Sequence, residues 1–189
     1  HRKTTPEALK YVEMALRGQV NGKIVNLINN EGQRGVGLSG RDGKIVTAKR
    51  MYHIDSSSGE EKQVDIGQVG EVDSVDTTLI YTLLENDYIP VITCIANNAE
   101  GESFNINADL FAGSLAGYLR AEVFGVLTDV DGLLHDVDDP SSLLSEIKIS
   151  EIKTLLGQGI IVGGMIPKVD ACRVAVEQGA KKSMIVNGT

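Results

Sequence analysis

In the stretch FNINADLFAGSLAG, residues 104–117, Asn105, Asn107 and Asp109 recur at every second position ahead of a run of small and apolar residues. Residues two apart in extended backbone share a face, so two amides and a carboxylate point the same way if the strand runs on to Asp109. A helix starting near Ala108 instead puts Asp109 in its first turn, where a carboxylate favours the positive end of the helix dipole. Asx residues end strands and open helices, which accounts for Asp109 but not for the two amides upstream. In a second stretch, Gly163-Gly164-Met165-Ile166-Pro167-Lys168, two bare residues open a helix and a lysine follows about one turn in. Backbone N–H groups, the helix dipole and a mobile ammonium make an anion site there. The ordinary alternative is a glycine cap beside a surface lysine, because no GxxxxGK[ST] loop is present. Third, LTDVDGLL, residues 127–134, is a strand end carrying Thr128, Asp129 and Asp131 and closed by Gly132. Ligands of open α/β sheets lie outside the carboxyl ends of strands, so these groups can bond a sugar or a base edge. Together the three places suit a phosphotransferase without a Walker A loop.

Other patterns carry less. Gly35, Gly37 and Gly40 spell GxGxxG, but they lie inside an apolar stretch and are followed by the hairpin signal Asp42-Gly43, not by a helix. They read as glycines at a crowded strand end, and a dehydrogenase is set aside. Asp129, Asp131, Asp136 and Asp138 lack the EF-hand spacing and its glutamate at the twelfth position, so calcium is not expected and no protein-held metal is assigned. His53 and His135 have no ligand-spaced partners and read as solvated loop residues. Cys94 and Cys172 stand alone, without a zinc or disulfide framework, which fits a reducing cytosol.

The elements that must position these residues follow from periodicity. Thr5-Pro6-Glu7 opens an amphipathic helix, with Val12, Ala15 and Leu16 on one face, that Gly18 is expected to stop. A second helix is expected from Val20 to Asn30, ended by Gly32. A strand from Lys44 to Arg50 precedes the polar stretch HIDSSSGEEKQVDIGQVGEV, a solvated, loop-like hairpin before Gln68 to Val72. Asp76 caps a helix to about Asn86, YIPVITCIA is a buried strand, and Asn98 to Ser103 turns the chain. The second half alternates: a helix over Ala108 to Arg120, rich in Ala and Gly for close packing, a strand ending at the acidic loop, a short helix over Ser150 to Leu156, a helix over Ile166 to Gly179, and a strand over Ser183 to Val186. The fold class is α/β, one domain with a mainly parallel sheet covered on both faces and hairpins inserted in the middle.

The totals agree. The 189 residues, 42% hydrophobic and 23% charged, suffice for one core. A net charge of −8 without a basic block argues against nucleic acid as partner. No long apolar span or charged-then-apolar leader points to a membrane or to secretion.

The segments VNGKIVNLIN, GVGLSGRDG, GQVGEV, YIPVI, FNINAD, LTDVDGLL and GGMIPKVDAC come in the order, and at about the separations, seen in the N-acetylglutamate kinases of the amino acid kinase family. The resemblance covers essentially the whole chain, and DDPSSLL is similar to longer variants of that loop in some bacterial and plastid members. It implies a three-layer αβα sandwich that transfers the γ-phosphoryl of ATP, with Mg²⁺, to the side-chain carboxylate of N-acetyl-L-glutamate, a cytoplasmic step of arginine biosynthesis. Carried over by motif, Asn105, Asn107 and Arg2 bind the acylated amino acid, Arg2 by clamping a carboxylate. Asp109 positions the catalytic lysines, of which Lys168 is one. Thr128, Asp129, Val130, Asp131, Gly132, Leu133, Gly163, Gly164 and Met165 line the nucleotide. A homodimer or higher homo-oligomer is implied, with a nitrogen-signalling regulator as a further partner. The family pattern opens with a strand, a glycine-rich loop with another phosphate-binding lysine, and a second glycine-rich loop. None of these precedes His1, and the pattern runs on past Asn187, so the resemblance implies a partial domain. The alternatives are a sister kinase of aspartate, carbamate or a nucleoside monophosphate, and a non-catalytic amino-acid sensor on the same fold. NINAD counts against the first, and the presence of both Lys168 and Asp109 against the second, since a pure sensor has no use for charge stabilisation at a phosphoryl group.

Overall fold

The computed structural model describes residues 3–55, 61–136 and 138–189. These form two compact units, His1–Ala108 and Asp109–Thr189.

In the first unit Thr5 accepts a hydrogen bond from the Ala8 N–H at 3.1 Å and Pro6 opens helix α1, Pro6–Glu13. Gly18 does not stop the helix as expected. The chain continues through a wider π-helical stretch, Met14–Asn21, into α2, Gly22–Asn30. The reason is tertiary. Asn21 is buried in that stretch, and its Nδ2 donates to the Val91 carbonyl at 2.7 Å, which holds the helix on course where a glycine alone would weaken it.

Strand β1, Gly35–Ser39, pairs in parallel with β4, Ile89–Thr93, in the register Gly37↔Val91. A Cβ on Gly37 would stand 2.0 Å from Asn21 Oδ1 and one on Gly35 3.2 Å from Ile28 Cγ2, so these two glycines of GxGxxG let a helix lie against a strand. Asp42-Gly43 makes no hairpin between paired strands. It forms a 3₁₀ turn, Asp42–Lys44, with Gly43 at φ 57, that passes the chain from one sheet to another.

The second sheet of this unit closes into a four-stranded barrel in the order β2-β3-β6-β5. Its strands are β2, Val46–Asp55, β3, Lys62–Val75, β5, Ile95–Asn97, and β6, Ser103–Ile106. The polar stretch read as loop-like is mostly strand, because antiparallel pairing tolerates a hydrated face; residues 56–60 of it lie outside the described ones. His53 accordingly sits in β2 opposite Val64, half-buried, and not in a loop. YIPVITCIA is likewise two strands in two sheets, parted at Cys94. Helix α3, Thr78–Leu84, has Asp76 accepting from the Thr78 N–H at 2.9 Å. Ile45, Ile95 and Phe104 are fully enclosed in the core.

The second unit holds α4, Ala108–Tyr118, β7, Phe124–Thr128, α5, Ile149–Gly157, α6, Met165–Gln178, and β8, Ser183–Asn187. Strands β7 and β8 are parallel, from Phe124↔Ser183 to Thr128↔Asn187. Their inner face packs Phe124 and Val126 against Ala116, Ala171 and Ala175. Gly179 at φ 131 ends α6 in a conformation that favours glycine. The parallel strands and the inserted hairpins expected of the fold class are thus both present, the parallel pairing being carried by β1–β4 in the first unit and β7–β8 in the second.

Candidate active site

Helices α4 and α6 approach through residues without bulk. A Cβ on Gly113 would meet the Ala171 carbonyl oxygen at 2.5 Å, and one on Gly117 the Gln178 Cβ at 2.4 Å. These contacts advance in step along both helices, so the two run in the same direction with their N-termini at one end. One turn before the first contact, Lys168 Nζ donates to Asp109 Oδ1 at 3.1 Å and to Oδ2 at 3.3 Å. Each side chain keeps 23% of its exposure, so the pair is withdrawn from bulk water yet open to a ligand. An ammonium shared between two carboxylate oxygens at the positive ends of two helices is a preorganised station for a polyanion. One turn further along α6, burial pushes the Cys172 thiol up; the Ser183 side chain opposes this and the Asp109 charge adds to it. The thiol therefore stays protonated beside the ion pair and adds no negative charge.

The end of β7 lies beside the end of β8. Thr128 Oγ1 donates to Asp129 Oδ1 at 3.2 Å, and the Gly188 N–H donates to the Thr128 carbonyl at 2.8 Å. Asn187 Nδ2 donates to Asp131 Oδ1 at 2.8 Å, tying the loop after β7 to the end of β8. Asn187 is the residue that motif reading missed; only the register Thr128↔Asn187 reveals it. Gly132 takes φ 142, and a Cβ there would press on Leu143 at 3.1 Å, while Leu133 turns into the core. Val130 stays exposed. Before α6, Gly163 takes φ 53 and the N–H groups of Met165 and Ile166 donate back to Val162 and Gly163 at 3.0 and 3.3 Å. Two of the amides in the expected anion cradle are thus used by the turn itself.

In the first unit, β6 alternates as expected: Phe104 and Ile106 are buried, Asn105 is half-buried on the other face, and Asn107 is exposed. Asn105 lies opposite Val69 of β3 and Ile95 of β5. The strand ends at Ile106, so Asp109 does not continue the face of the amides; it belongs to the first turn of α4. Arg2 lies outside the described residues. His135 is exposed in its loop as read. Among the described residues no group of three His, Cys, Asp or Glu side chains is placed to hold a metal ion, and no helix is long and apolar enough to cross a membrane.

Over residues 1–187 the sequence matches the Amino acid kinase family. It is 44% identical over 187 residues to the acetylglutamate kinase of Moorella thermoacetica, covering 99% of this chain and 63% of that protein. It is equally 44% identical over 188 residues to the acetylglutamate kinase of Methanocaldococcus jannaschii, again covering 99% and 63%. The chain thus spans about 63% of the length of these relatives. Among solved structures, N-acetylglutamate synthase from Neisseria gonorrhoeae, complexed with coenzyme A and N-acetyl-glutamate, superposes with a TM-score of 0.79 at 21% identity, covering 98% of this chain and 40% of that one. At that identity the likeness is one of fold.

Proposed function

The chain belongs to the amino acid kinase family, and from that premise we propose that the protein transfers the γ-phosphoryl group of ATP to the side-chain carboxylate of N-acetyl-L-glutamate. The observation that carries the reading is the Lys168–Asp109 pair at the joined N-terminal ends of α4 and α6. The 44% identity to relatives named acetylglutamate kinase supports the choice of acceptor.

A carboxylate is already a nucleophile, so the reaction asks for no general base. Catalysis reduces to in-line positioning and to stabilising charge on the phosphoryl group in flight. Lys168 supplies that charge, and Asp109 keeps its ammonium in place. Gly163, Gly164 and Met165, together with Thr128 to Leu133, border the nucleotide, with Asn187 steadying Asp131. Asn105 and Asn107 bond the acylated amino acid, and Arg2 clamps its carboxylate bidentately. Mg²⁺ comes with ATP, as an ion that takes most of its ligands from phosphate oxygens and water. The same reading carries a cytoplasmic location, a homo-oligomer of two or more chains and a nitrogen-signalling regulator as partner.

The test is acyl-phosphate formation, trapped as the hydroxamate, with Mg·ATP and N-acetyl-L-glutamate, aspartate or unacylated glutamate. Signal with acetylglutamate alone is expected. Equal signal with aspartate moves the protein to a sister kinase, and silence with all three acceptors leaves a truncated enzyme or the sensor.

A further inference from the structure

We infer that Arg50 is a positioning residue for the substrate amides, holding β6 from the face opposite Asn105. The inference rests on the proposed function, because it takes Asn105 as a contact of the acylated amino acid. Arg50 stands on β2 opposite Gly70 of β3, and Gly70 in turn lies opposite Ile106 of β6. Alternation therefore puts Arg50 on the side of Phe104 and Ile106 and Asn105 on the other. From β2 the guanidinium reaches both β3 and the entry to β6. Nη1 donates to the Gly67 carbonyl of β3 at 3.1 Å and to Asp65 Oδ1 at 3.4 Å, and Nη2 donates to Glu102 Oε1 at 2.8 Å, one residue before β6 begins. Its Cζ lies 5.2 Å from the centre of the Phe104 ring, the residue before Asn105.

β6 needs such a grip, since it is only four residues long. Three antiparallel register pairs join it to β5, but only two, Val69↔Asn105 and Gly70↔Ile106, join it to β3. A Cβ on Gly70 would stand 2.7 Å from the Phe104 Cβ and 3.1 Å from the Lys49 carbonyl oxygen, so β6 is seated as closely as backbone allows at that point. Slippage of a short strand by one residue would turn the amides to the wrong face. A planar fork that ties the β3 backbone to the entry of β6 while stacking on Phe104 opposes that slippage, and a lysine cannot reproduce it.

The experiment compares wild type, Arg50→Ala, Arg50→Lys and Glu102→Gln for KM of acetylglutamate, KM of ATP and thermal midpoint. Arg50→Ala is expected to raise KM for acetylglutamate roughly five- to tenfold, the scale of one lost hydrogen bond, and to leave KM for ATP unchanged. Glu102→Gln, which keeps the stack and the Gly67 bond, is expected to show a smaller shift of the same kind, and Arg50→Lys one close to alanine. If the wild type turns over acetylglutamate but its KM stays put in Arg50→Ala, or both KM values rise together, Arg50 is structural only and the inference falls alone. If the wild type gives no acetylglutamate-dependent product, the proposed function falls and takes the inference with it. Should Arg50→Ala fail to fold, the KM pair of Glu102→Gln decides on the same terms.

Discussion

Lys168 makes two hydrogen bonds to one carboxylate across two helices, so its ammonium waits in one place. In the proposed reaction, a charge held in advance stabilises the transition state without reorganisation when the phosphoryl group moves. Lys168→Ala is therefore expected to lower kcat by roughly two to three orders of magnitude, the usual cost of one strong charge-stabilising donor, while the protein stays folded. Hydroxamate assays at saturating substrates read this directly, and unchanged turnover would remove Lys168 from the mechanism. Gly67 illustrates a different single-residue demand. At φ 77 its missing side chain leaves room for the Thr4 carbonyl, which a Cβ would approach to 2.1 Å, and the Thr4 segment is thereby sewn to β3 through Thr4 N to Ile66 O and Gln68 N to Thr4 O.

At the scale of elements, the ion pair depends on how closely α4 and α6 lie. Gly113 sits one turn past Asp109 and faces the Ala171 backbone, which cannot retreat as a flexible side chain could. Gly113→Ala is expected to destabilise the protein by about 1–3 kcal/mol through overpacking, despite the better helix propensity of alanine. Urea unfolding measures the loss, and the same variant should lose turnover because Lys168 no longer meets Asp109 in register. A neutral or stabilising outcome would show that the helices have slack. Gly37 plays the matching part in the first unit, where its bare backbone receives Asn21.

For the whole molecule, the titrations with a direction lie at the two ends of the pH scale. Burial raises the Cys94 and Cys172 thiols. A raised folded value means stability fully present below the unfolded pKa of about 8.5 and lost as pH climbs toward the folded value, because the unfolded chain ionises first. Asp76 and Asp139 are held below the ordinary aspartate range by the side chains and N–H groups of Thr78 and Ser141, so their contribution is present at neutral pH and lost in acid as pH falls through the folded values. Both aspartates are exposed, and their part is small. The urea midpoint is expected to decline above about pH 9, and less steeply in a Cys94→Ala, Cys172→Ala double variant. Parallel declines in the two proteins would show that the thiols are not the source of the loss.

Much of this protein was legible along the chain because local rules act locally. The cap at Thr5, the stop at Gly179, the alternation of Asn105 with buried Phe104 and Ile106, and the close-packing helix read over Ala108 to Arg120, which ends at Tyr118, follow from neighbours within a turn or a strand. The candidate site residues in the second unit were named from their motifs, yet which of them meet was decided elsewhere. Lys168 and Asp109 are 59 residues apart, and Asn187 and Asp131 56 apart, so their hydrogen bonds depend on helix register and strand pairing that no periodicity encodes. The same holds for the helix that runs through Gly18 on the strength of Asn21, for the apolar run that divides at Cys94 between two sheets, and for the polar hairpin drawn into a closed barrel. Composition and spacing determine faces and ends. Partners distant in sequence are chosen by packing, where a single missing Cβ or a one-residue shift in register decides which polar groups meet.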